Sequence, residues 1–124
     1  MNATMKRLLA LLLLTASGLL MAHGDGTPKH GGVVQSANDL SFELVGLDGS
    51  AMLYVEDHGE ALSTVGYGGK LSVLLNGVKT DAPLKPAGAN KLLAEGLKLA
   101  AGAKAVAVIT TPQKQTLSVR FTLR

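Results

Sequence analysis

The sequence predicts an all-β fold: a single antiparallel two-sheet sandwich of about seven strands, Ig-like or cupredoxin-like in topology. Three observations predict it. Apolar and polar residues alternate at period two along most of the chain. Asp-Gly and Asn-Gly dipeptides, which accept the positive φ angles of tight hairpin turns, separate two pairs of such segments. Turn signals recur at short intervals over roughly 100 residues, too closely for long helices.

The strands follow in order. "LSFELVG" puts Leu40, Phe42 and Leu44 on one face. "AMLYVED" puts Ala51, Leu53 and Val55 on one face and Met52, Tyr54 and Glu56 on the other. Asp48-Gly49 lies between these two and predicts a type I′ hairpin. "GKLSVLLNG" alternates Leu71, Val73 and Leu75 against Lys70, Ser72 and Leu74 and ends at Asn76-Gly77, a second hairpin signal. Residues 82–104 are harder to read. "NKLLAEGLKLAAGAKA" has a helical composition, but Gly96 and Gly102 interrupt it, and a mid-helix glycine costs about 1 kcal/mol relative to alanine. The reading is a short strand over 91–94 followed by a loop, with a one- or two-turn helix within 90–102 as the open alternative. "AVAVITT" is a β-branched run closed by Pro112. In "TLSVRFTL", Leu117, Val119, Phe121 and Leu123 face in while Thr116, Ser118, Arg120 and Thr122 face out.

Residues 1–22 read as a secretory signal peptide. Lys6 and Arg7 form the positive end, residues 8–14 the apolar stretch, and "TASGLLMA" supplies small residues for cleavage. A cut after Ala22 would leave His23 at the new N-terminus; a cut after Gly18 fits the small-residue rule better. The apolar stretch is short against the roughly 20 residues a membrane span needs, so no stable membrane anchor is expected after cleavage. Residues 23–32, "HGDGTPKHGG", read as a flexible Gly/His arm, and 33–124 as the sandwich domain. The expected location is the periplasm.

Loss of Lys6 and Arg7 reduces twelve Lys/Arg to ten, against nine Asp/Glu. These charges are scattered singly, without the basic, aromatic-rich cluster of a nucleic-acid surface. Cysteine is absent, so neither a disulfide nor a thiolate ligand or nucleophile exists. Enzyme templates fail as well. "GYGGK" has phosphate-loop glycines but not the spacing, and it leads into a strand, so it reads as a tight turn. Glu56 and Asp57 are adjacent and point to opposite faces of a strand. No catalysis is expected.

What remains is His23, His30 and His58, each followed by glycine. Imidazole is the commonest protein metal ligand, and glycine permits the sharp turns that present it. A free amine at His23 would chelate together with its ring, an arrangement suited to copper. His58 continues the parity of Met52, Tyr54 and Glu56. Asp57 and Met52 complete the candidate donors. Each has a plainer role: His30 as a turn before the first strand, His58 as a hairpin cap, His23 as arm, Met52 as packing, Asp57 as a solvated turn carboxylate.

"PKHGGVV", "DLSFELV" and "LYVEDHG", followed by "TVGYGGKLSVLLNG", "LKPAGANKLLAEG" and "GAKAVAVIT", resemble a family of small exported proteobacterial proteins. A similar module occurs beside or within the periplasmic adaptor subunits of heavy-metal efflux systems. The resemblance implies a β-sandwich, a role in periplasmic metal handling and an efflux component as partner, with the family's histidine motifs falling on His30 and His58. The expected function is a periplasmic metal-binding accessory protein, a carrier or buffer for copper or another late divalent ion. The competing expectation is a structural module that pairs with an envelope or efflux partner through a sheet edge.

Overall fold

The computed structural model describes residues 26–124. The expected signal peptide and His23 lie outside the described residues. The described chain forms nine strands: β1 (Val33–Ala37), β2 (Leu40–Gly46), β3 (Ser50–Asp57), β4 (Glu60–Ala61), β5 (Gly68–Leu75), β6 (Val78–Pro86), β7 (Lys91–Glu95), β8 (Lys104–Thr110) and β9 (Thr116–Thr122).

These strands build one antiparallel sheet in the order β1-β2-β3-β7-β6-β5-β8-β9, with β4 attached to β3. The sheet curls until β1 lies against β9, although no ladder joins them. The fold is therefore a nearly closed barrel, which corrects the expected two-sheet sandwich. The reason lies in β6. Up to Leu84 it pairs with β5; its last residues, Lys85 and Pro86, pair instead with Leu93 and Leu92 of β7. One strand thus passes between what would otherwise be separate sheets. Pro83 is tolerated within the strand because β6 has only β5 beside it until Lys85, so no partner needs a donor from the other edge.

The core follows the alternation. Phe42, Leu44, Ala51, Leu53, Val55, Leu71, Val73, Val119 and Phe121 are all buried. Across the ladders small core residues lie between larger ones, Ala105 between Val73 and Phe121 and Ala107 between Leu71 and Val119, as the taper of a small barrel interior requires. Residues 91–95 are strand, not helix. Beyond them, Gly96 and Gly102 take φ of +74° and +86°, and Leu97 is buried at that end of the barrel.

The turns are partly as expected. Asn76 and Gly77 have φ of +52° and +79°, the type I′ signature. The turn at Asp48-Gly49 differs: only Gly49 is positive, at +76°, so it is a hairpin turn of another type. Asn38-Asp39 supplies a further I′ turn, between β1 and β2. The "GYGGK" glycines serve the fold. Gly66 is left-handed in the turn closed by the Tyr67 N–H and the Thr64 carbonyl. A Cβ on Gly69 would lie 2.1 Å from the Val108 carbonyl oxygen. The buried Thr64 hydroxyl donates to the Lys91 carbonyl at 2.8 Å and ties this loop to the start of β7.

Candidate functional site

Glu43 organises the region in which His30 lies. Phe42 and Leu44 point into the barrel, so Glu43 points out of β2, yet it is only 6% exposed because the N-terminal segment covers it. Its Oε1 accepts the backbone N–H of Lys29 at 2.9 Å. Its Oε2 accepts those of His30 at 2.9 Å and Gly32 at 2.8 Å. Burial by itself pushes this carboxyl up. The backbone donors at Gly32 and Lys29, with the His30 ring and backbone, outweigh that and hold it below its ordinary value.

This explains "KHGG". Three N–H groups converge on one carboxylate only if the chain turns sharply, and Gly31 takes φ of +73° to do so. Gly32 then passes so close to β2 that a Cβ would lie 2.3 Å from the Leu44 carbonyl oxygen. Residues 29–32 are therefore pinned to the outside of the barrel.

The His30 ring stacks on Tyr54 with centroids 3.6 Å apart and planes within 4°. Tyr54 is there because it faces Glu43 across the β2–β3 ladder. His30 Nδ1 lies 3.0 Å from Glu43 Oε1. An ionised carboxylate only accepts, so Nδ1 is the donor. In the neutral ring the lone pair then belongs to Nε2, the orientation that a carboxylate gives to metal-binding histidines.

No known protein family, curated protein or solved structure matches this chain. The resemblance to exported metal-handling proteins thus rests on its motifs alone, and the site has to be argued from its geometry.

That geometry separates the other candidates from His30. His58 lies in the β3–β4 turn with φ of +52°, followed by Gly59 at +83°. It takes the place an asparagine holds in an Asn-Gly turn, so the parity of Met52, Tyr54 and Glu56 stops before it. Its Nδ1 lies 2.5 Å from Asp57 Oδ1, and its side chain is 83% exposed. Near this turn Lys29 Nζ donates to Glu56 Oε2 at 2.7 Å and to the Gly59 carbonyl at 3.4 Å. An ammonium group there neutralises Glu56 and repels a metal ion. Met52 is half-buried on the outer face of β3 in register with Val45 and Leu93, an apolar setting. Among the described residues, no three His, Cys, Asp or Glu side chains gather as a metal site.

Sequence reasoning missed Glu43, Tyr54, Lys29 and Glu56. A signal for Glu43 did exist: a lone carboxylate in the middle of an apolar strand needs partners, and the glycine-flanked "KHGG" amides need an acceptor.

Proposed function

We propose that this is a periplasmic metal-binding accessory protein that carries or buffers copper or another late divalent ion in metal efflux or resistance. What supports the reading is the Glu43–His30–Tyr54 arrangement, which orients one imidazole and keeps its Nε2 lone pair for a ligand. One oriented imidazole binds weakly by itself. The remaining donors come from the arm that carries His23 or from the partner that receives the ion, and an incomplete site suits transfer. His58 with Asp57 is a separate, more exposed pair.

Titration calorimetry with copper(II) and zinc on wild type, His30→Ala and His58→Ala tests this. The expected result is at least tenfold weaker binding in His30→Ala and little change in His58→Ala, since loss of even a residue that only orients a ligand costs about 10- to 100-fold in affinity. Unchanged affinity in His30→Ala would remove the proposal. The edge-pairing alternative rests on the β1–β9 seam, where two strands lie side by side with no ladder between them. An added strand would have to open that seam.

A further inference from the structure

The sheet collects cations that are far apart in the sequence. On the outer face of β6, β5, β8 and β9, the ladders set Lys79, Leu74, Lys104 and Thr122 in one row. The next row is Asp81, Ser72, Val106 and Arg120, followed by Pro83, Lys70, Val108 and Ser118. Lys85 extends β6 beyond them. All five cations are exposed, and Asp81 is the only carboxylate in the array. Strands about 4.8 Å apart make this a patch about 15–20 Å across.

One end of the patch is apolar. Leu74 is 47% exposed on this face at the β5–β6 hairpin, in register with Lys79 and Lys104, and Val78, 65% exposed, stands at the tip of the same hairpin on the inward parity of Ala82 and Leu84. Strand directions alternate around the sheet, so the β2–β3 turn lies at the same end, and there Leu47 is 46% exposed.

We propose that this face, led by the β5–β6 hairpin, docks reversibly on an anionic phospholipid surface. The chemistry selects that occupant. Four of the five cations are lysines, which act as hydrated point charges on a diffuse anionic surface; paired carboxylates and phosphates in a fixed site favour the arginine fork. The face has no aromatic residue on which bases could stack and none of the aromatic or methionine enrichment of protein interface cores. Exposed aliphatic residues flanked by lysines match the layered polarity of a membrane surface. The proposal does not depend on metal binding.

The test is co-sedimentation of the mature protein, its N-terminus established by intact mass, with two vesicle types: phosphatidylcholine alone, and phosphatidylcholine with about 30% phosphatidylglycerol, at about 50 and 300 mM salt. Binding should be at least tenfold stronger to the anionic vesicles at low salt and should fall steeply at high salt. Lys79→Gln/Lys104→Gln/Arg120→Gln should weaken it about a hundredfold. Leu74→Ser/Val78→Ser should weaken it without removing its salt dependence. Lys114→Gln, off this face in the β8–β9 turn, should change it less than about twofold. Thermal melts of each variant confirm folding. Equal binding to both vesicle types, or a triple variant that binds like wild type, overturns the proposal. So does salt-sensitive binding to polyglutamate with none to vesicles, which would assign the face to an acidic protein.

Discussion

On the side built by β1, β2, β3 and β7, the outward residues carry a second layer: Glu43 holds the backbone of residues 29–32, Tyr54 holds the His30 ring, and Glu56 holds the Lys29 ammonium. On the side built by β6, β5, β8 and β9, the same alternation leaves lysines and hydroxyls exposed to water. The charges divide along the chain as well. Residues 26–61 contain six carboxylates and one cation, Lys29, whereas 62–124 contain nine Lys/Arg and two carboxylates, Asp81 and Glu95. The net charge of +3 hides this polarity along the chain. The difference teaches that strand parity decides only which residues leave the core. What they do outside depends on whether another segment returns to cover them.

The comparison breaks most severely at the glycines of close approach. Gly32→Ala should cost about 3 kcal/mol or more, because its Cβ would meet backbone at 2.3 Å, where no side chain can yield. Gly77→Ala, with open space around it, should cost only the left-handed backbone penalty of about 1–2 kcal/mol. Urea titrations measure both. Similar losses in the two would mean that residues 29–32 do not press on β2 as described.

Next is the carboxylate under that segment. Glu43→Ala leaves the N–H groups of Lys29, His30 and Gly32 without their acceptor and should cost about 2–3 kcal/mol, with faster proteolysis near residue 30. The pH dependence has a definite sign. The folded carboxyl titrates below the ordinary value of 4.5, so its contribution is complete above that pH. It is lost as pH falls from about 4.5 through the lower folded value. The difference between wild type and Glu43→Gln should therefore be flat above about pH 5 and shrink in more acidic buffer. A difference that grows on acidification would mean that Glu43 is not the charged acceptor.

How much of this was legible depended on the range of the interaction. The strands of "LSFELVG", "AMLYVED" and "TLSVRFTL" were plain because burial on one face imposes period two. Asn76-Gly77 was plain because its backbone requirement is local. Barrel against sandwich was not, since it depends on β6 changing partners at Lys85, a register fact with no local signature. Pro83 fits inside β6 because its missing donor faces an edge with no partner strand, which is also a register fact. At the site, "HGG" marked His30 as unusual, but the cause is Glu43, 13 residues away, and only the β1–β2 hairpin brings the two together.

His30 itself separates latch from ligand. His30→Phe keeps an aromatic ring for Tyr54 but loses the Nδ1 donor, so it should cost about 1 kcal/mol in metal-free buffer. Wild type should gain stability as copper(II) is added, by about 2.7 kcal/mol at 100 times the dissociation constant, if only the folded form binds. The gain should fade as pH falls, because protons compete for Nε2. His30→Phe should show no gain. A variant that gains as much as wild type would place the ion elsewhere.

The smallest effect belongs to the uncovered face. Lys70 Nζ lies 3.9 Å and Lys79 Nζ 4.0 Å from Asp81 Oδ2, all three side chains being more than 40% exposed. Ser72 and the two lysines hold the Asp81 carboxyl below its ordinary value, but the group is exposed to solvent, so this says little about the fold. Lys70→Gln and Lys79→Gln should each change stability by less than about 0.5 kcal/mol, with a difference that narrows further in salt. Urea titrations at low and high ionic strength measure it. If either substitution cost as much as Glu43→Ala, the exposed lysines would be supporting the barrel as the buried carboxylate does, and the division between a covered side that holds structure and an open side free to meet a partner would fail.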